Sequence, residues 1–186
     1  MHFCTVTLMF MLAAGLAAAD LGPPAWVQVK AAAVKPDSCH CIKDLGEYGL
    51  GAGAWCSPRW GAELDFLAGR LHSRHTGASA DQRQLLGSVL FGLNPGGARW
   101  FPYVRAGAGG ARVAAPYSLA AGTTTRFAFL AGIGVQGLFG RHLLASAEAR
   151  GLTIETQAER TEKQVLLGLG LRWGGSGYPS TPGIPK

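Results

Sequence analysis

Eight stretches of this chain, each ten to fourteen residues long, alternate apolar with polar or small residues at a period of two. That period sends successive side chains to opposite faces of a β-strand and fits no helix. Strands of soluble domains average about 5 or 6 residues, whereas one of this length crosses a lipid bilayer at a tilt. Glycine supports the same choice. It accounts for 28 of 186 residues and falls inside the apolar runs, as in GLGAGAW, RAGAGG and LGLGLRWG. Each would weaken a helix by about 1 kcal/mol. The glycines show no three-residue repeat, so a collagen-like chain is excluded.

The clearest alternation runs from Trp60 to Arg70, where Trp60, Ala62, Leu64, Phe66 and Ala68 stand against Gly61, Glu63, Asp65, Leu67 and Gly69. Arg126 to Gln136 and Leu143 to Leu152 repeat it. The remaining candidates are Ala25 to Val34, Leu45 to Cys56, Gln82 to Leu93, Arg99 to Arg112 and Gln164 to Trp173. Their connections alternate in length. Lys35 to Asp44, Leu71 to Asp81, Val113 to Thr123 and Thr153 to Thr161 are long; Ser57-Pro58, Asn94 to Ala98 and Gly137 to Gly140 are short. Short turns on one side and longer loops on the other characterise a membrane barrel, with both termini on the short-turn side. The predicted fold class is therefore all-β: an eight-stranded antiparallel up-and-down transmembrane β-barrel. Closure satisfies every backbone polar group, as lipid demands.

Ahead of the first candidate strand, residues 1–19 carry no formal charge, hold an apolar core from Val6 to Leu16 and end in Ala17-Ala18-Ala19. This reads as a cleaved signal peptide, although the usual positive start is missing; an uncleaved N-terminal helix is the alternative. Residues 20–173 then form the barrel and 174–186 a flexible periplasmic tail. No later stretch offers the roughly 20 continuous apolar residues of a membrane helix. Removal of Cys4 leaves Cys39, Cys41 and Cys56, an odd number that indicates no disulfide framework. Cys39-His40-Cys41 lacks both a fourth ligand and the spacing of a zinc site, so no metal is expected. The net charge of +6 is spread singly along the chain, which speaks against nucleic acid and for anionic lipid.

In this register the lumen receives Lys30, Glu47, Glu63, Asp65, Arg105, Arg126, Glu148, Arg150 and Arg172. Four acids against five bases predict a pairing network, and a barrel of eight strands has room for little beyond its own side chains. A lipocalin-like soluble barrel would need the opposite polarity inside. Glycines such as Gly51, Gly132 and Gly168 make room for the long side chains. All five tryptophans, Trp26, Trp55, Trp60, Trp100 and Trp173, fall at strand ends beside the short turns or termini, the depth of an aromatic girdle. For Trp26 and Trp55, whose parity is that of the lumen, the argument concerns depth and not orientation. Arg70, Arg83, Arg112 and Lys163 lie at the outer strand ends on the lipid face, where a cation costs about 0 to 1 kcal/mol and meets lipopolysaccharide phosphates.

The segments PYVRAGAGG (Pro102 to Gly110), AGIGVQG, AEAR (Ala147 to Arg150) and LGLGLRW resemble the small outer-membrane β-barrel superfamily of OmpA-type and OmpX-type barrels. The resemblance spans essentially the whole mature chain and implies a place in the bacterial outer membrane. It also implies that Gly168, Leu171 and Trp173 match the terminal signal recognised by the barrel assembly machinery. Here thirteen residues follow the aromatic, and Leu166 stands where a polar residue is common. Some small barrels are lipid A deacylases, which directs attention to His142, Ser146 and Glu148 on one strand face. His142 and Ser146 are about 13 Å apart along a strand, however, too far for a base and its nucleophile. The expected function is a plugged polar barrel, without catalysis or cofactor, with a structural or surface-interaction role through its outer loops. A narrow channel and a lipid A-modifying enzyme are the alternatives. The loops carry no motif that names a ligand.

Overall fold

Backbone ladders join each strand to its neighbours until the last returns to the first. The computed structural model describes residues 24–36, 45–72, 79–94, 99–114, 123–155 and 160–174. Among them are eight strands: β1 (Ala25–Pro36), β2 (Leu45–Trp55), β3 (Trp60–His72), β4 (Ser79–Gly92), β5 (Trp100–Ala114), β6 (Thr123–Phe139), β7 (Leu143–Ile154) and β8 (Arg160–Trp173). Each pairs antiparallel with the next, and β1 closes on β8 from Ala25↔Trp173 to Pro36↔Glu162. The expected signal peptide, Cys39-His40-Cys41, most of each long loop and residues 175–186 lie outside the described residues.

Alternation decides the faces. On β8, Gln164, Leu166 and Arg172 are buried, while Val165, Leu167, Leu169 and Leu171 are exposed. The same two-residue rhythm puts Leu64 and Phe66, Leu85 and Val89, and Phe129 and Ile133 outside. Large apolar side chains thus form the outer surface, and charged ones are buried within: the inverse of a water-soluble barrel.

The strands are longer at the loop end than alternation predicts. β8 begins at Arg160 instead of Gln164, β6 at Thr123 instead of Arg126, and β4 at Ser79 instead of Gln82. Both faces are polar there, so the period-two signal fades while backbone pairing continues. At the opposite end, the expected turn Gly137-Leu138-Phe139-Gly140 is strand except for its last residue: β6 runs through Phe139, which pairs with Leu143. Gly137 lies under the Trp100 ring, which sits where a Cβ would be. The turn itself is Gly140 to His142, and Gly140 supplies its left-handed residue at φ 70°. Between β2 and β3, the Ser57 hydroxyl accepts from the backbone N–H of Trp60 at 2.9 Å and so closes the short turn.

Candidate functional site

Among the described residues the lumen gathers the buried ionisable groups, and its polar centre is drawn from strands far apart in sequence. Glu63 and Asp65 project from β3. Lys30 of β1 bonds both, lying 2.7 Å from Asp65. Arg105 of β5 reaches Glu63 at 3.1 Å, Asp65 at 2.9 Å and Glu148 of β7 at 2.7 Å, and also bonds the Ser88 hydroxyl. Arg150 of β7 crosses to Asp65 at 3.0 Å. Three acids and three bases therefore form one connected cluster with side chains almost fully shielded from solvent. Removing a charge from water is offset only by such pairing and hydrogen bonding.

Lumen glycines accommodate this packing. A Cβ on Gly51 would lie 2.8 Å from both the Asp65 carboxylate and the Lys30 chain, and one on Gly132 would lie 2.6 Å from Arg150 Cβ. Two further layers flank the charges. Toward the short-turn end, Trp26, Trp55, Leu90, Phe101, Tyr103 and Leu144 form an apolar cluster, tied to the charges by Trp26 Nε1 donating to Glu63 at 2.9 Å and the Tyr103 hydroxyl donating to Glu148 at 3.0 Å. Toward the loop end, Gln82 donates to Glu47 at 3.1 Å and across the lumen to Glu162 at 3.3 Å, while Gln84 donates to Glu47 at 2.9 Å. Beside them Leu86, Ala111, Ala128, Leu130, Leu152 and Ile154 pack together.

Several expectations need correction against this geometry. Arg126 is not part of the network: it is exposed. The last β6–β7 pair is Ala128↔Ile154, so Arg126 stands above the edge of that ladder, where its side chain reaches water. Trp26 and Trp55 lie at the depth of the girdle but point inward, as their parity implies, and are buried with ring centroids 5.8 Å apart. Trp60 and Trp100 do face outward, against Phe91 and Phe139 at 4.9 and 5.6 Å, and Trp173 is half-buried on the same rim. The lumen is layered and not uniformly polar, because so narrow a barrel must be packed with whatever its inward positions carry. Glu47 bonds glutamines, and Arg172 is buried near the short-turn end with its carbonyl 3.2 Å from His142 Nδ1. Gly168 and Leu171 lie on β8 as expected from the alternation, inward and outward respectively.

The glutamines are what charge counting overlooks. Gln28, Gln82, Gln84, Gln136 and Gln164 all have inward parity and all are buried, and Gln164 takes the Arg150 Nε–H at 2.7 Å. Glu162 lies just ahead of the predicted start of its strand. As for the residues weighed for catalysis, His142 is exposed in a turn, Ser146 donates to Gln28 at 2.8 Å and Glu148 belongs to the ionic cluster.

An outer-membrane protein β-barrel domain model matches residues 4–173. The chain belongs to the outer-membrane β-barrel family. It is accordingly a protein of the bacterial outer membrane. Solved barrels show the same fold at low identity. The neisserial surface protein A structure is 15% identical, covering 81% of this chain and 97% of that one at a TM-score of 0.63. The N-terminal barrel of Pseudomonas aeruginosa OprF is 18% identical over 80% and 97%, at 0.53. Ail, the attachment invasion locus protein of Yersinia pestis, is 14% identical over 82% and 100%, at 0.52. A search of curated protein sequences finds no match.

As a family member, the barrel places its short turns toward the periplasm and its loops outside. The span agrees. Outward-facing Trp60 and Arg70 are ten residues apart on β3, about 33 Å along a strand at roughly 3.3 Å per residue. At a tilt of about 40° this becomes about 25 Å, the height of the apolar band of such barrels. The four outer cations now separate. Arg70 is paired with Asp81 at 3.3 Å. Lys163 stands opposite Lys35 on the β1–β8 side, and Arg83 and Arg112 stand opposite each other between β4 and β5.

Proposed function

We propose that this protein is a non-conducting outer-membrane barrel with a structural or surface-interaction role exercised through its outer loops. The observation that carries this reading is the lumen cross-section: Arg105 and Arg150 reach from β5 and β7 to carboxylates on β3, above a cluster containing two tryptophans, Phe101 and Tyr103. A continuous water column would have to break paired buried charges. Purified folded protein in planar lipid bilayers is therefore expected to give no steady single-channel steps; reproducible steps of fixed amplitude would overturn the proposal in favour of a narrow channel. No catalysis is proposed, since Ser146 is engaged by Gln28 and Glu148 by the ionic cluster.

For entry into the membrane, the proposed partner is the barrel assembly machinery, with Gly168, Leu171 and Trp173 of β8 as the recognised strand. Trp173 closes the barrel seam opposite Ala25. Trp173→Ala should reduce the heat-modifiable, membrane-inserted fraction in cells several-fold, while deletion of residues 174–186 should leave it unchanged. Equal insertion of both variants would count against this assignment.

A further inference from the structure

The lipid-facing surface between β3 and β6 carries a groove with a cationic head. We propose that it seats one acyl chain of a phosphorylated, multiply acylated glycolipid of the outer leaflet, lipid A, with a lipid A phosphate held between Arg83 and Arg112. Walls of the groove are Leu64, Phe66 and Leu85, and its floor includes Gly87 and Gly110. On the far side the register sets Phe127 beside Gly110 and Phe129 beside Ala108, both rings turned outward. From Ala108 to Arg112 is about 13 Å of strand at roughly 3.3 Å per residue, a length suited to part of an acyl chain.

Two independent observations point to this occupant. The first is charge. Arg83 and Arg112 are directly opposed in the β4–β5 ladder, both are exposed, and among the described residues neither takes part in an ion pair. Like charges directly opposite each other are destabilising, and a phosphate bridging two guanidiniums removes that repulsion through charge-assisted hydrogen bonds. Both lie at the outer end of the apolar band, the depth of outer-leaflet phosphates. The second is the floor. A Cβ on Gly87 would meet nothing nearer than 3.9 Å, and one on Gly110 nothing nearer than 3.7 Å. Lumen-facing Gly51 and Gly132 are different, since a side chain there would strike the packed interior. Packing within the protein therefore does not require glycine at 87 or 110; their effect is to keep the groove open.

The inference depends on the membrane location and not on whether the lumen conducts. Folded protein in detergent, titrated with bis-phosphorylated lipid A and followed by native mass spectrometry, should retain one tightly held lipid. Arg83→Gln with Arg112→Gln should weaken retention roughly tenfold or more, as should Gly87→Leu with Gly110→Leu, which fills the groove. Arg141→Gln, at the opposite rim, should not change it. Dephosphorylated lipid A should bind the parent protein as weakly as bis-phosphorylated lipid A binds the arginine variant. Equal retention by the parent and the arginine variant overturns the proposal, as does tighter binding of phosphatidylglycerol than of lipid A. The heat-dependent gel shift of each variant establishes folding, and the arginine pair, lying on the surface, keeps the test decisive if the leucine variant does not fold.

Discussion

Arg105→Ala is expected to destabilise the folded barrel by about 3–5 kcal/mol, the cost of breaking a buried ion pair by removing one partner. The guanidinium meets Glu63, Asp65 and Glu148 within 2.7 to 3.1 Å. Without it, three carboxylates share Lys30 and Arg150 in a space closed to water. Arg126→Ala is the matched control: the residue has the same inward parity but is exposed above the β6–β7 edge, so its loss should stay within about 0.5 kcal/mol. Urea titration of protein folded into lipid vesicles, read by the gel shift between folded and unfolded forms, measures both. Equal shifts for the two variants would remove Arg105 from the centre of the network.

Trp26→Ala should cost a comparable 3–5 kcal/mol, the range for truncating a large buried aromatic. Its ring is 1% exposed, packs on Trp55 and donates its N–H to Glu63, so truncation opens a cavity and leaves a buried carboxylate short of one donor. Trp60, 53% exposed, should lose much less on the same change. Orientation is checked separately with single-tryptophan variants in vesicles of acyl-brominated lipid. Trp60 and Trp100 should be strongly quenched, Trp26 and Trp55 scarcely. Strong quenching of Trp26 would place it on the lipid face and remove the inner aromatic layer.

How much of this was legible differs by feature. Strand count, order and inward or outward parity follow from alternation, since a period of two is a local property of a strand and the tall apolar band forces it to persist. The periplasmic strand ends are also close to expectation, because tryptophans and turn residues mark them. Outer ends are less visible: beyond the lipid both faces are polar, and β4, β6 and β8 continue by backbone pairing that side chains do not announce. Gly137 shows the reverse error, a glycine that suggests a turn but serves to admit the Trp100 ring.

Parity assigns a face but not a depth or a partner. The alternation of this chain dictated a barrel with an apolar outside and charges within, and would have done so for any closure that kept the strands in order. Which acid meets which base depended on the stagger accumulated around eight strands, which brings Arg150 to Asp65 across 85 positions of sequence. The same stagger put Arg126 above the ladder edge, brought Gln82 and Gln84 to Glu47 and Gln82 to Glu162, and set Arg83 against Arg112 above open glycines. Those relations are distances between strands, and no local pattern carries them.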